Sequence, residues 1–230
     1  MSQWDIYSES ALNGDFELQE SFDFSCHPES FAKIKNKTLE SVLPTQGWPK
    51  AEISEINCSH SDSVLQLLLP TLAKLNAQNR WISLISPPGE INPKIFAHYG
   101  IDMSKVLLIH PKNDVDDKVT MNKALKNGTS GIVILWAEQL NKRYLAQWRK
   151  SVKQGNSTGI IVNMSRESSC SNSVALSFSV STVEESLQVN NINLFGIRQP
   201  QRSKILFSKT DLTAIADQHL LQKTQKTALN

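Results

Sequence analysis

The chain has 230 residues, 40% of them apolar, with 24 basic and 22 acidic side chains and a formal net charge of +2. That length allows one large domain or one domain with tails, and the near balance of charge gives no basis for a nucleic-acid or membrane-surface partner. Three widely spaced cysteines, odd in number and without histidines at ligand spacing, argue against a disulfide framework or a zinc site. No stretch reaches the roughly 20 apolar residues of a spanning helix, and the first residues lack a signal pattern. A cytoplasmic protein is expected.

Residues 1–40 form an acidic leader. It has no Lys or Arg before Lys33, and Trp4, Phe16, Phe22, Phe24 and Phe31 follow neither a helical nor a strand period. Such a segment is expected to be disordered or to dock on a partner. A loop punctuated by Pro44, Gly47 and Pro49 leads into a short strand with Ile53 and Ile56. The polar loop 57–63 follows, and then a helix carrying Val64, Leu65, Leu67, Leu68, Leu69, Leu72 and Leu75. Strand, loop and helix in this order have the layout of a nucleotide-binding P-loop. The loop nevertheless holds neither the glycines that wrap a phosphate nor the Lys that reaches it. No cofactor is expected.

Beyond this point the pattern alternates. Strands are expected at 80–86, 106–109, 131–136 and 158–162, with helices at 93–99, 114–127 and 140–154 between them. Strands apolar on both faces, separated by helices, imply a parallel sheet covered on both sides. The chain so divides into the leader, a domain over 41–164, a strand extension over 165–208 and a tail over 209–230. The strands of the extension, at 174–180, 191–198 and 204–207, are joined without helices and are expected to form an antiparallel edge.

Two candidate chemistries fail on the residues themselves. His60, Asp62 and Ser63 share one loop and cannot take the oriented geometry of a catalytic triad, so Ser61 or Asp62 reads as a helix cap. Trp136 ends a strand where an ATPase would place its metal-binding acid, and Glu138 reads as a solvated charge at a helix start. No catalytic residue and no metal ligand is expected.

Several motifs carry a resemblance. They are Leu67 to Leu75, Asn79-Arg80-Trp81, Gly100 to Val106, Lys123 to Gly128 and Val133 to Trp136. Together they resemble the SulA family of cell-division inhibitors over about residues 52–164. The resemblance implies an α/β fold of RecA-like type, with a mostly parallel twisted sheet, helices on both faces and no functional P-loop. It also implies an SOS-response inhibitor that binds the tubulin-like GTPase FtsZ and blocks its polymerisation.

Matched residue by residue, the partner-facing positions fall on Arg80, Trp81, Ile85, Ile95 and Lys105, with Ile95 replacing a Trp of enteric members. As strand-end charges, Arg80 and Lys105 are expected to be solvated and to serve binding rather than folding. The resemblance extends the partners to a second copy and a Lon-type protease. A second resemblance, through Gly47-Trp48-Pro49, is to ImuA-like accessory proteins of mutagenic translesion synthesis. It would bring RecA or a lesion-bypass polymerase as partner.

Overall fold

The computed structural model describes Leu39, Leu43 and residues 47–58, 62–89, 91–137, 142–164, 171–183, 186–198 and 205–208. The rest of the leader, residues 59–61 between β1 and α1, Glu138 and the tail lie outside the described residues.

The first unit is β1 (Ile53–Cys58), α1 (Asp62–Asn76) and β2 (Trp81–Ile85). After α2 (Pro93–His98) a 3-10 turn, Met103–Lys105, leads into β3 (Val106–Ile109). Next come α3 (Asp114–Lys126), β4 (Ser130–Ala137), α4 (Lys142–Gly155) and β5 (Thr158–Asn163). Four strands then follow, with no α-helix between them among the described residues: β6 (Leu176–Val183), β7 (Ser186–Leu194), β8 (Ile197–Arg198) and β9 (Ile205–Ser208).

All nine strands join one sheet, in the order β3-β2-β4-β5-β1-β6-β7-β8, with β9 pairing a different stretch of β7. β1 lies inside the sheet, flanked by β5 and β6, so its alternate residues feed two separate cores. On one face Ile56, Ile82, Ile134 and Ile160 pack with Leu67, Leu68 and Leu72 of α1 and Phe96 of α2. On the other, Ile53, Ile85, Val133 and Ile161 pack with Met121 and Leu125 of α3 and with Leu145, Trp148 and Val152 of α4. Full burial of a side chain of this size contributes about 1.5–3 kcal/mol.

Local chemistry fixes these elements in place. Asn113 caps α3 by accepting from the amides of Val115 and Asp116 at 3.0 Å. The Trp148 indole donates to the Lys118 carbonyl at 3.2 Å and so ties α4 to α3. The two helices meet at Gly155, where an added Cβ would lie 2.0 Å from the Leu125 carbonyl oxygen. Only glycine permits that approach. Ahead of β1, the Trp48 ring lies 6.0 Å from Phe178, and its indole donates to Thr71 Oγ1 at 3.3 Å.

The fold is α/β, but the expectation of a RecA-like, mostly parallel sheet is corrected. From β3 to β6 the pairing is parallel, whereas β7 is antiparallel to β6, β8 and β9, so the sheet is mixed. The cause lies in the connections. A parallel return needs a crossover of a dozen residues or more. After β6 the chain instead turns tightly, pairing Val183 with Ser186 and Leu194 with Ile197. At the second turn Phe195 and Gly196 have φ of 50° and 78°, the left-handed pair that a two-residue hairpin requires. Among the described residues no helix is long and apolar enough to cross a membrane.

A candidate partner-binding face at the sheet edge

β3 is the outermost strand at the parallel end of the sheet. It pairs only with β2 among the described strands, from Ile82 with Val106 to Ile85 with Ile109. One row of its backbone donors and acceptors therefore has no strand partner among the described residues. Its side chains are exposed on both faces, Leu107 at 45% and Leu108 at 40%. An apolar edge open on both faces is a template for another chain. Sequence reading missed these two residues because a Val-Leu-Leu-Ile run looks the same in a buried strand.

The partner-facing residues implied by the resemblance divide under the structure. Trp81 opens β2 and is 43% exposed. Ile95 stands on α2 and is 40% exposed, while its neighbour Phe96 is buried against α1. That helix is started by Asn92, which accepts from the Lys94 amide at 3.0 Å, with Pro93 in its first turn. Lys105 ends the 3-10 turn, with its ammonium against Asn79 Oδ1 and 3.8 Å from Asp102 Oδ2. An ion pair this exposed is worth little, so it orients Lys105 more than it stabilises the fold. Asp102 is held in turn by Asn76, whose Oδ1 accepts from the Asp102 amide at 2.8 Å.

Arg80 departs from expectation. Its Nη2 donates to the carbonyls of Ser130 at 2.9 Å, Asn156 at 3.1 Å and Gly128 at 3.4 Å. Gly128 and Asn156 follow the C-terminal ends of α3 and α4, where a cation is favoured by the helix dipoles and satisfies orphan carbonyls. The aliphatic part of Arg80 covers Gly131, where an added Cβ would lie 2.7 Å from Arg80 Cβ. Arg80 is thus a clamp on the main chain and not the solvated strand-end charge that sequence reading expected. Ile85 departs further: it is fully buried in the core beneath α3 and α4 and presents no surface.

Two concavities open beside the C-terminal ends of β2 and β4. A polar cleft is bordered by Ser86, Lys112, Asn113, Asp117 and Lys118. Ser86 has φ of 52° and donates from its hydroxyl to Asp117 Oδ1 at 2.6 Å. No histidine borders this cleft, so the Ser–Asp pair lacks the base that a nucleophile needs. An apolar groove, bordered by Leu69, Ile95, Phe96 and Trp136, lies between α1, α2 and the end of β4. Trp136 is 2% exposed and belongs to the core on the α1 side.

One carboxyl is deeply buried. Glu55, in β1, is 0% exposed, and its Oε1 accepts from Asn163 Nδ2 at 3.1 Å. Its Oε2 has no partner, and burial holds the acid above its ordinary range despite the opposing bonds from Asn163 and Asn57. Cys58, which ends the same strand, is buried, and its thiol is pushed up to about 11. Among the described residues no group of three or more His, Cys, Asp or Glu is placed to hold a metal ion.

Comparison with known proteins points one way. Residues 51–159 match the family model for the cell division inhibitor SulA. The SulA of Serratia proteamaculans is 30% identical over 108 residues, which cover 47% of this chain and 64% of that protein. The SulA of Yersinia enterocolitica is 32% identical over 111 residues, covering 48% of this chain and 66% of the relative. The chain therefore spans somewhat under two thirds of the length of these curated relatives. The crystal structure of SulA from Pseudomonas aeruginosa aligns with a TM-score of 0.44 at 26% identity, over 50% of this chain and 98% of that one. These likenesses give the ImuA-like alternative no support.

Proposed function

We propose, from the premise that residues 51–159 give this chain a domain of the SulA family, that it is a cell-division inhibitor of the SOS response. In this reading it acts in the cytoplasm, binding the tubulin-like GTPase FtsZ and blocking its polymerisation and septum formation. SulA is a family of division inhibitors and not a known enzyme family. Inhibition by capping a subunit needs affinity and a blocked surface, with no bond made or broken.

The observation that carries the reading is the open edge of β3. Leu107 and Leu108 are exposed on opposite faces of a strand whose outer row of backbone groups is unpaired among the described strands. Of the residues that the resemblance assigned to the partner, Trp81, Ile95 and Lys105 sit on the β2–α2–β3 unit with surface to offer. Arg80 serves that face from behind, by holding the start of β2 to the ends of α3 and α4.

Purified full-length chain added to FtsZ and GTP should lower the polymer recovered by sedimentation, and its expression should make cells filamentous. Undiminished polymer at a molar excess of the chain overturns the proposal.

A further inference from the structure

We infer that Asn79 is a positioning residue for partner binding: from the turn after α1 it holds the Lys105 ammonium at the start of β3, ready for an acceptor of the partner. The inference rests on the proposed function, whose partner it uses. It concerns a residue that the resemblance did not assign to the partner.

The turn explains why this side chain stands where it does. Asn79 has φ of 64°, the left-handed conformation that glycine takes most readily. Its amide donates to the Asn76 carbonyl at 3.0 Å and so closes the turn after α1. Glycine would serve that backbone as well. Asparagine, among the few other residues that adopt this conformation, adds a side chain with an acceptor. Its Oδ1 accepts from the Lys105 ammonium, 26 positions along the chain.

A second set of contacts keeps the two segments in register. Asn76, which ends α1, is 5% exposed. Its Oδ1 accepts from the Asp102 amide at 2.8 Å, and its Nδ2 donates to the Asp102 carbonyl at 3.3 Å. Asp102 in turn caps the 3-10 turn, accepting from the Ser104 amide at 3.0 Å. The backbone that carries Lys105 is thus tied to the end of α1, and its ammonium is held by Asn79 and drawn by Asp102 at 3.8 Å.

Lysine has a flexible stem and an ammonium with three N–H donors. The Lys105 side chain remains 30% exposed, so donors are left over for a partner. Its rotamer freedom would otherwise be lost on binding, and a contact that removes it beforehand raises affinity. The Asn79–Lys105 contact is itself exposed, so its effect falls on binding more than on folding.

The test is a cycle of variants in full-length chain, with FtsZ affinity read by calorimetry and stability by melting temperature. Asn79→Gly suits the left-handed backbone and removes the acceptor. Affinity should fall roughly three- to tenfold while the melting temperature stays close to wild type. Asn79→Asp keeps an acceptor in a residue that adopts this conformation, and it should restore binding. In a Lys105→Ala background Asn79→Gly should cost nothing further, an outcome that a merely structural residue would not give. If Asn79→Gly melts well below the wild type, that background decides, because a damaged fold weakens binding with or without Lys105.

Asn79→Gly with wild-type affinity, or with its full cost kept in the Lys105→Ala background, overturns the inference and leaves the proposed function standing. So does Lys105→Ala that binds FtsZ as tightly as the wild type. A wild-type chain that does not bind FtsZ overturns both.

Discussion

Asn163 donates from Nδ2 to Glu55 Oε1 at 3.1 Å, joining β5 to β1 across 108 positions of sequence inside the sheet. The bond does not settle the carboxyl, because Oε2 remains buried and unpartnered and desolvation outweighs both amide bonds. The folded chain therefore holds this proton to higher pH than the unfolded chain does. Between the ordinary value of 4.5 and the raised one, the folded state binds more protons, so Glu55 lowers stability as pH rises through that interval. Glu55→Gln should remove this pH dependence. It keeps an acceptor for Asn163 and adds donors near Asn57 Oδ1, which is also buried without a partner. A gain of about 1 kcal/mol near pH 7 is expected. Thermal melts from pH 4 to 8 check it, and an unchanged pH profile would show that Glu55 is not the group responsible.

Arg80→Ala should destabilise the fold, because three main-chain carbonyls lose one cationic donor at the ends of two helices. A loss of about 2 kcal/mol is expected for charge-assisted bonds in a half-buried site. Arg80→Lys, with a single ammonium, should recover part of it. Urea midpoints for the three proteins give the answer. Equal midpoints would mean that the clamp contributes nothing.

Gly155→Ala tests the helix crossing. A methyl group placed 2.0 Å from the Leu125 carbonyl oxygen forces the main chains of α3 and α4 apart. The expected cost is about 3 kcal/mol, in the range of an overpacked core. A melting temperature within a degree of wild type would show that the crossing has slack.

Leu107→Glu should leave stability within about 0.5 kcal/mol, since an exposed position away from packing tolerates a charge. It should also abolish inhibition of FtsZ assembly by burying a carboxylate at the proposed contact. Sedimentation and a melting curve on the same sample separate the two effects. Retained inhibition would exclude the β3 edge.

Cys58 should be inert while the chain is folded, since a thiol at about 11 and only 6% exposed holds little thiolate at pH 8. In a Cys26→Ser, Cys170→Ser background, a thiol reagent should react only after denaturant is added. Rapid labelling of native protein would contradict the burial.

The parallel half of the sheet was legible in sequence because each strand is bracketed by turn residues and α4 shows an apolar stripe. Leu145, Trp148 and Val152 repeat at helical spacing, and all three are buried in one core. The antiparallel direction of β7 was legible too, because strands joined without helices leave no room for a parallel crossover. Sequence spacing failed at Arg80 and Ile85. Arg80 gains its partners from segments about 50 and 76 positions away. Ile85 lies on a strand whose alternate faces are both buried, so a position matched to a family's partner-facing set carried no information about depth. The β3 edge hid for the opposite reason. An apolar run suggests burial, but among the described strands β3 has a neighbour on one side alone.

The order of the strands also constrains how the chain assembles. β1 is synthesised before every other described strand, yet Ile53 pairs with Gly159 and Ser54 with Leu176. Its neighbours arrive more than 100 residues later. By contrast, β2, β3 and β4 pair among themselves and come from one compact stretch. A growing chain can therefore gather the outer strands first, while β1 waits with its apolar residues uncovered. Such long-range parallel pairing raises contact order and slows folding. Synthesis interrupted anywhere before β5 leaves a product without the β1–β5 pair at the centre of the sheet, so a fragment of that kind cannot complete the fold.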